Sequence, residues 1–260
     1  DVGGASTLFI DVQPLVTLTL VEDGGARSQN NTDSSLILLS LGRGSSVRWF
    51  GTSVGASGFT IRERLIMLAP DAVLEHHAAF LGPFAVRENI HAVLAGPGAT
   101  ARVRTLIAGM SDHQFDLGVT VEHRAPRTVS DLRAKAVLAG KAQAVVRGLI
   151  RVEHAARGSD GYQRCDALLL SPTAEVDPIP NLEINTDDVR CTHGVTVGHV
   201  HPEQLFYLQS RGLPEEVSKA VLVEGFTGSM LRAYPRHTQE TLRGYIRNMI
   251  TDPRNTDAAN

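Results

Sequence analysis

The chain has 260 residues, 42% hydrophobic and 20% charged, with a formal net charge of -3, enough apolar material for a large core in one elongated domain or two smaller ones. It lacks the basic excess that would point to nucleic acid or an anionic membrane, and no apolar run reaches the roughly 18 residues of a transmembrane helix. Two cysteines, Cys165 and Cys191, are too few for a disulfide framework and fit a reducing compartment, so a cytoplasmic location is expected.

The sequence opens without Met and without a charged-then-apolar secretion signal, directly in strand-like residues. Aromatic content is 5%, and short apolar alternations recur, clearest at residues 16–20, 36–39, 101–106 and 145–152, which read as strands. Small-residue corners separate them at 42–45, 69–72, 96–99, 140–143 and 171–174, and the first three begin 27 residues apart. A repeat of that length suggests coils that bury their apolar faces only by stacking, a β-solenoid; the later drift in period leaves a β-sandwich open. In the solenoid reading, residues 15–200 form parallel coils with Leu38, Val103, Val146 and Leu169 facing inward, and the Gly/Asn/Ser-rich corner at 23–33 is the least regular stretch.

After His201 the period becomes helical. Pro202 opens a first helix stopped by Gly212, Pro214-Glu215-Glu216 starts a second reaching about Leu231, and a third spans about Thr238 to Ile250, before a polar tail at 254–260 expected to fray. The boundaries that follow are a β core over 1–201 and a helical domain over 202–260. A helical cap is expected to cover the apolar end of the last coil.

Chemistry-bearing residues are sparse. Cys191 and His193, two apart in a strand, project to one face and together offer sulfur and imidazole to iron, although one of each is too few for a complete metal site. Cys165, beside the run Ala167-Leu168-Leu169-Leu170, reads as core, and Glu75-His76-His77 alternates between faces. Glu183, Asp187 and Asp188 read as a solvated strand end. Neither Gly42-Arg43-Gly44 nor Gly96-Pro97-Gly98 has the Gly-Lys-Ser/Thr ending of a P-loop, so the chain is not expected to hydrolyse ATP. No cluster of Asp, Lys or Arg on one solenoid face is evident to suggest a carbohydrate-active β-helix enzyme, which remains the alternative from another class, with a homodimeric structural scaffold as a third reading.

The ordered set Arg147-Gly148-Leu149-Ile150, Pro180-Asn181-Leu182-Glu183-Ile184, Cys191-Thr192-His193-Gly194-Val195-Thr196-Val197-Gly198 and Glu203-Gln204-Leu205-Phe206-Tyr207-Leu208 resembles the SufB/SufD family of iron–sulfur cluster assembly proteins over about the last half of the chain. Its Cys-x-His-Gly form is similar to the D-type subunit, SufD, and Pro172-Thr173-Ala174 stands where B-type chains carry a scaffold cysteine. The resemblance implies a right-handed parallel β-helix with a C-terminal helical cap and a non-catalytic scaffold subunit in a SufBCD complex of the SUF system. It implies that His193, with Cys191 beside it, faces a SufB-like partner where clusters form, as a transient metal ligand shared with that partner. It also implies that a SufC-like ABC ATPase docks on the helices, for which Phe206, Tyr207, Arg211 and Phe226 are the candidates. No cofactor is expected to stay bound to the chain alone, only a transient cluster in the complex; alone, a homodimer is expected. Family members carry a further helical segment ahead of the β-helix.

Overall fold

The computed structural model describes residues 4–24, 31–54, 58–82 and 84–251. Among these residues fourteen strands precede three helices, and the strands form two seven-stranded sheets, all neighbours parallel: odd-numbered strands in sheet A, even-numbered in sheet B. The chain therefore alternates between two facing sheets and climbs one strand in each per coil, a β-solenoid of about six turns. The sandwich alternative, which needs antiparallel pairing, is excluded.

Coil length explains the drifting period. Arg48 lies opposite Glu75, 27 residues on; Glu63 lies opposite Asn89, 26 on; Gln143 lies opposite Glu175, 32 on. The corners absorb the difference, from residues 69–72 between β5 (Gly58–Leu68) and β6 (Val73–Leu81) to 153–158 between β11 (Gln143–Val152) and β12 (Ser159–Leu169). Several turn on a left-handed residue, among them Gly44, Gly98, Gly140 and Asp71, with φ between 59° and 76°. The irregular corner expected at 23–33 lies outside the described residues at 25–30, as does the polar tail.

Inward rows of Leu, Ile, Val and Ala fill the space between the sheets. Val103, Val146 and Leu169 point inward as expected, but Leu38 does not: Ile37, Leu39 and Leu41 are the inward residues of β3 (Asn31–Leu41). In an all-apolar run the period-two signal vanishes, so the sequence could not fix the face.

The interior is not wholly apolar. At the N-terminal end Arg62 and Arg64 of β5 point inward, where the Arg64 guanidinium lies 4.6 Å from the Trp49 ring, bonds Glu22 at 2.9 Å and reaches Glu88 at 3.2 Å. His76 meets Trp49 edge-on at 4.9 Å and is fully buried; its desolvation and the nearby Arg64 hold its pKa well below the usual imidazole value. Further along, His123 bonds Thr128 at 2.7 Å and Ser130 at 2.8 Å, and Thr128 bonds Ser159 at 2.8 Å, a buried polar corner.

The helices α1 (Pro202–Ser210), α2 (Glu215–Leu231) and α3 (Arg236–Thr251) follow β14 (Val189–His199). They do not cover the end of the solenoid. Instead α2 and α3 pack Val223, Met230, Leu231, Leu242, Ile246 and Met249 on an outward apolar row of sheet B, Phe50, Ala79, Leu81, Leu106, Ala108 and Val137. That row is the physical reason for the correction: a flank exposing this much apolar surface competes successfully with the end of the last coil for the helices' apolar stripe.

Two outcomes follow. Arg64→Met leaves partly buried Glu22 and buried Glu88 with Arg62 alone, at 3.8 and 4.0 Å, so the urea midpoint should fall by the equivalent of about 3 kcal/mol. Burial lowers the pKa of His123 from 6.5 to about 4, so on acidification the unfolded chain takes a proton that the native state refuses. Its contribution is complete above about pH 6.5 and should be lost as pH falls toward 4, roughly 3 kcal/mol, with a flatter pH profile of the urea midpoint in His123→Gln.

Candidate functional site

The last coil consists of β13 (Glu175–Ile184) on sheet A and β14 on sheet B, each the terminal strand of its sheet. Backbone alternation gives the two free edges different properties. The N–H groups of Glu175 and Asn185 donate to Ala142 and Val152, so odd-numbered positions of β13 face β11 and even-numbered ones face the open edge. Pro178 and Pro180 fall on that open side, where a missing N–H costs the ladder nothing and denies an incoming strand its donors. On sheet B the N–H groups of Asp160 in β12 and of Leu170 just after it point toward β10, so the odd positions of β12 serve β14, and Cys191, His193, Val195 and Val197 of β14 turn their backbone groups outward. No proline interrupts this edge.

The same odd positions of β14 aim their side chains into the space between the sheets. Cys191 and His193 therefore share a face, as their spacing requires, in register with Gly161 and Gln163. Their surroundings differ. The Cys191 sulfur packs beside Gly161, where an added Cβ would meet it at 3.1 Å, and burial raises the thiol pKa. His193 is exposed, because no further coil lies above it, and Val195 and Val197 are exposed for the same reason at 43% and 45%.

Beneath His193 the neighbouring coil carries Gln163, which spans the lumen to donate to the Asn181 carbonyl at 2.9 Å. Gly148, the glycine of the Arg147-Gly148-Leu149-Ile150 segment, makes room for it: a Cβ there would collide with the Gln163 amide oxygen. A cavity of about 40 Å3 lies alongside, lined by Gln163, Thr105, Cys165, Pro178 and Pro180 among others. Cys165 is buried as expected, its thiol pushed up to about 12. Gln163 was not singled out from sequence, and only the pairing of a motif glycine with a polar residue on the facing strand could have signalled it.

Other candidates are scattered. His76 lies inside the solenoid and His77 outside it, stacked on Phe50 at 5.2 Å. Glu183 pairs with Arg151 at 2.5 Å on the outer face. Phe206 and Tyr207 project from α1 with 71% and 57% exposure, and Arg211 lies 5.3 Å from the Tyr207 ring. Phe226 is half-buried on the flank, where its ring and carbonyl both hold Lys135 of β10 (Val129–Leu138). Among the described residues no three His, Cys, Asp or Glu side chains gather as a metal site. No described helix is long and apolar enough to cross a membrane.

One cluster was missed from sequence. Register aligns Arg104, Arg133 and Arg164 on the outer face of β8 (Thr100–Gly109), β10 and β12, with Gly194 of β14 completing the row. The expectation of no charged cluster on a solenoid face is thereby corrected; the members lie about one coil apart in the chain, so only three-dimensional register brings them together.

The family described as SUF system FeS cluster assembly, SufBD core domain, matches residues 2–226. The iron–sulfur cluster assembly protein SufD of Escherichia coli is 34% identical over 168 residues, 65% of this chain and 40% of that protein. A SufBD family protein of Mycobacterium tuberculosis is 40% identical over 142 residues, covering 55% of this chain and 17% of the relative. The chloroplastic protein ABCI7 of Arabidopsis thaliana is 30% identical over 166 residues, covering 63% and 35%. The matched region thus spans less than half of each of these relatives.

Both thiols are held protonated by burial, Cys165 more deeply than Cys191. Iodoacetamide at pH 8 should therefore label Cys191 first and Cys165 only on unfolding, as peptide mass mapping over time would show; equal rates would mean that the coil around Cys165 opens.

Proposed function

The chain belongs to the SufBD core family of the SUF system for iron–sulfur cluster assembly, and on that premise we propose that it serves as a D-type scaffold subunit, pairing through its last coil with a SufB-like paralogue. The observation that carries this reading is the uncovered end of the solenoid, where β14 offers an unblocked backbone edge and an exposed imidazole on the same residues. Strand addition needs such an edge, and the prolines of β13 direct it to β14. Without the paralogue, the same edge would pair with a second copy of the chain.

Iron and sulfide are cargo in this reading. His193 can ligate iron through its exposed imidazole, and Cys191, half-buried behind it, contributes if the partner opens the site. Two ligands do not complete a cluster site, so the partner supplies the rest, and the isolated chain holds no stable cofactor. The chain's own part is positioning, with no catalytic step of its own. The exposed Phe206, Tyr207 and Arg211 have the character of interface anchors and form the proposed seat of a SufC-like ATPase, next to Phe226, which ties α2 to the solenoid. A cytoplasmic location is part of the same proposal.

The test is coexpression with B-type and C-type subunits, followed by native mass measurement and cluster quantitation. His193→Ala leaves no core cavity, so stability should change by less than about 1 kcal/mol; the complex should copurify but mature fewer clusters, with Cys191→Ala the milder variant. Val195→Pro removes an outward N–H from β14 and should prevent pairing while the isolated chain still unfolds cooperatively. Maturation at the wild-type rate in His193→Ala would reduce that residue to structure, and intact pairing in Val195→Pro would move the interface away from β14.

A further inference from the structure

The charges on the outer face of sheet B are layered. On sheet B, Arg133 is 50% exposed over Asp131 at 20%, Arg164 is 46% exposed over Asp166 at 16%, and Arg48 at 59% and Arg102 at 44% flank Glu75 at 33%. The acids lie low between the guanidinium groups, which form the surface. On sheet A the order is mixed: Arg87 at 60% overlies Asp116 at 36% and Arg124 at 50% overlies Glu122 at 7%, but Glu183 at 50% is more open than Arg151 at 35%.

The sheet B cations also repeat. Arg104, Arg133 and Arg164 occupy one row on consecutive strands, and neighbouring strands in a sheet lie about 4.8 Å apart. Each is fixed from below: Arg104 donates to the Asp131 carbonyl at 2.6 Å and carboxylate at 2.5 Å, Arg133 donates Nε to Asp131 and lies 5.3 Å from the Tyr162 ring, and Arg164 donates Nε to Asp166 at 2.9 Å. Binding Asp131 and Asp166 through Nε, with Arg164 also hydrogen-bonded to the Tyr162 side chain, orders both guanidinium groups and leaves donors on each for a second acceptor. On one side the row is bounded by Lys135, held by Phe226 of α2; at its end Gly194 presents no side chain, and a Cβ there would meet nothing within 4 Å.

We propose that this face, strands β8, β10 and β12 beside α2, is an interaction surface for an acidic peptide segment of a partner protein, with Arg133 and Arg164 as its principal contacts. Charge complementarity selects the occupant. Discrete carboxylates on a flexible segment can settle on separate guanidinium groups and avoid the recessed Asp131 and Asp166, whereas a continuous polyanion such as nucleic acid would be forced over them. The surface uses outward side chains of β8, β10 and β12, whereas the pairing proposed above uses the backbone edge of the adjoining β14, so the two are tested separately.

The test uses the whole chain and a fluorescein-labelled oligoglutamate peptide, followed by anisotropy at low and physiological salt, with oligoserine, a short single-stranded DNA and inorganic phosphate in parallel. Oligoglutamate should bind, weaken as salt rises, and lose at least about tenfold in affinity in the Arg133→Gln, Arg164→Gln double variant. Arg87→Gln, on the exposed Arg87–Asp116 pair of sheet A, should bind as the unaltered chain does. Both changes are at half-exposed side chains, and an unchanged unfolding midpoint confirms that folding is intact. Absence of binding at low salt, equal affinity in the double variant, DNA bound as tightly through the same arginines, or full displacement by phosphate at low concentration would each overturn the proposal.

Discussion

Parallel register between coils is the constraint on which everything else in this protein depends. Once Arg48 lies opposite Glu75 and the next strand follows suit, every side chain acquires neighbours about one coil earlier and later in the sequence, and no local interaction can substitute for them. Rows become the structural unit: apolar rows inside, an apolar row under α2 and α3, and a cationic row beside it. Because strands alternate faces with period two, the row that carries His193 into the lumen also fixes which backbone groups of β14 are left free.

The interior shows what such a fold tolerates. Arg62, Arg64, Glu22 and Glu88 occupy positions that leucines would otherwise fill, and they persist because the charges balance and Trp49 covers the Arg64 guanidinium. Gln163 repeats the theme near the other end, satisfied across the lumen by a backbone carbonyl and accommodated by a glycine. Polar residues inside a solenoid are thus held by residues of the facing sheet, which makes them markers of how the two sheets are aligned.

The placement of the helices decides where the protein can meet others. Had α2 and α3 folded over the last coil, its backbone edge would be paired or covered and His193 would be core. By lying on the flank they leave that end open and place α1, with Phe206 and Tyr207, in solvent. The edge is then shaped by two prolines on one strand and their absence on the other, a small difference in sequence with a large effect on which strand can be extended.

The sequence by itself determined the element types, the helix boundaries to within a residue or two, and the shared face of Cys191 and His193, because turn residues, helical periodicity and strand alternation are local properties; it favoured stacked coils, and parallel pairing decided against the sandwich. It also carried, in its motifs, the family to which the chain belongs. It did not determine that Leu38 faces outward, since an unbroken apolar run has no phase, nor that the helices leave the end of the solenoid bare, since two apolar surfaces competed for them. The arginine row, the charge cluster around Trp49 and the bridge from Gln163 were likewise decided only by tertiary structure. Their members are separated by a coil or more of sequence, and it is the length of each corner, accumulated strand by strand, that brings them into line.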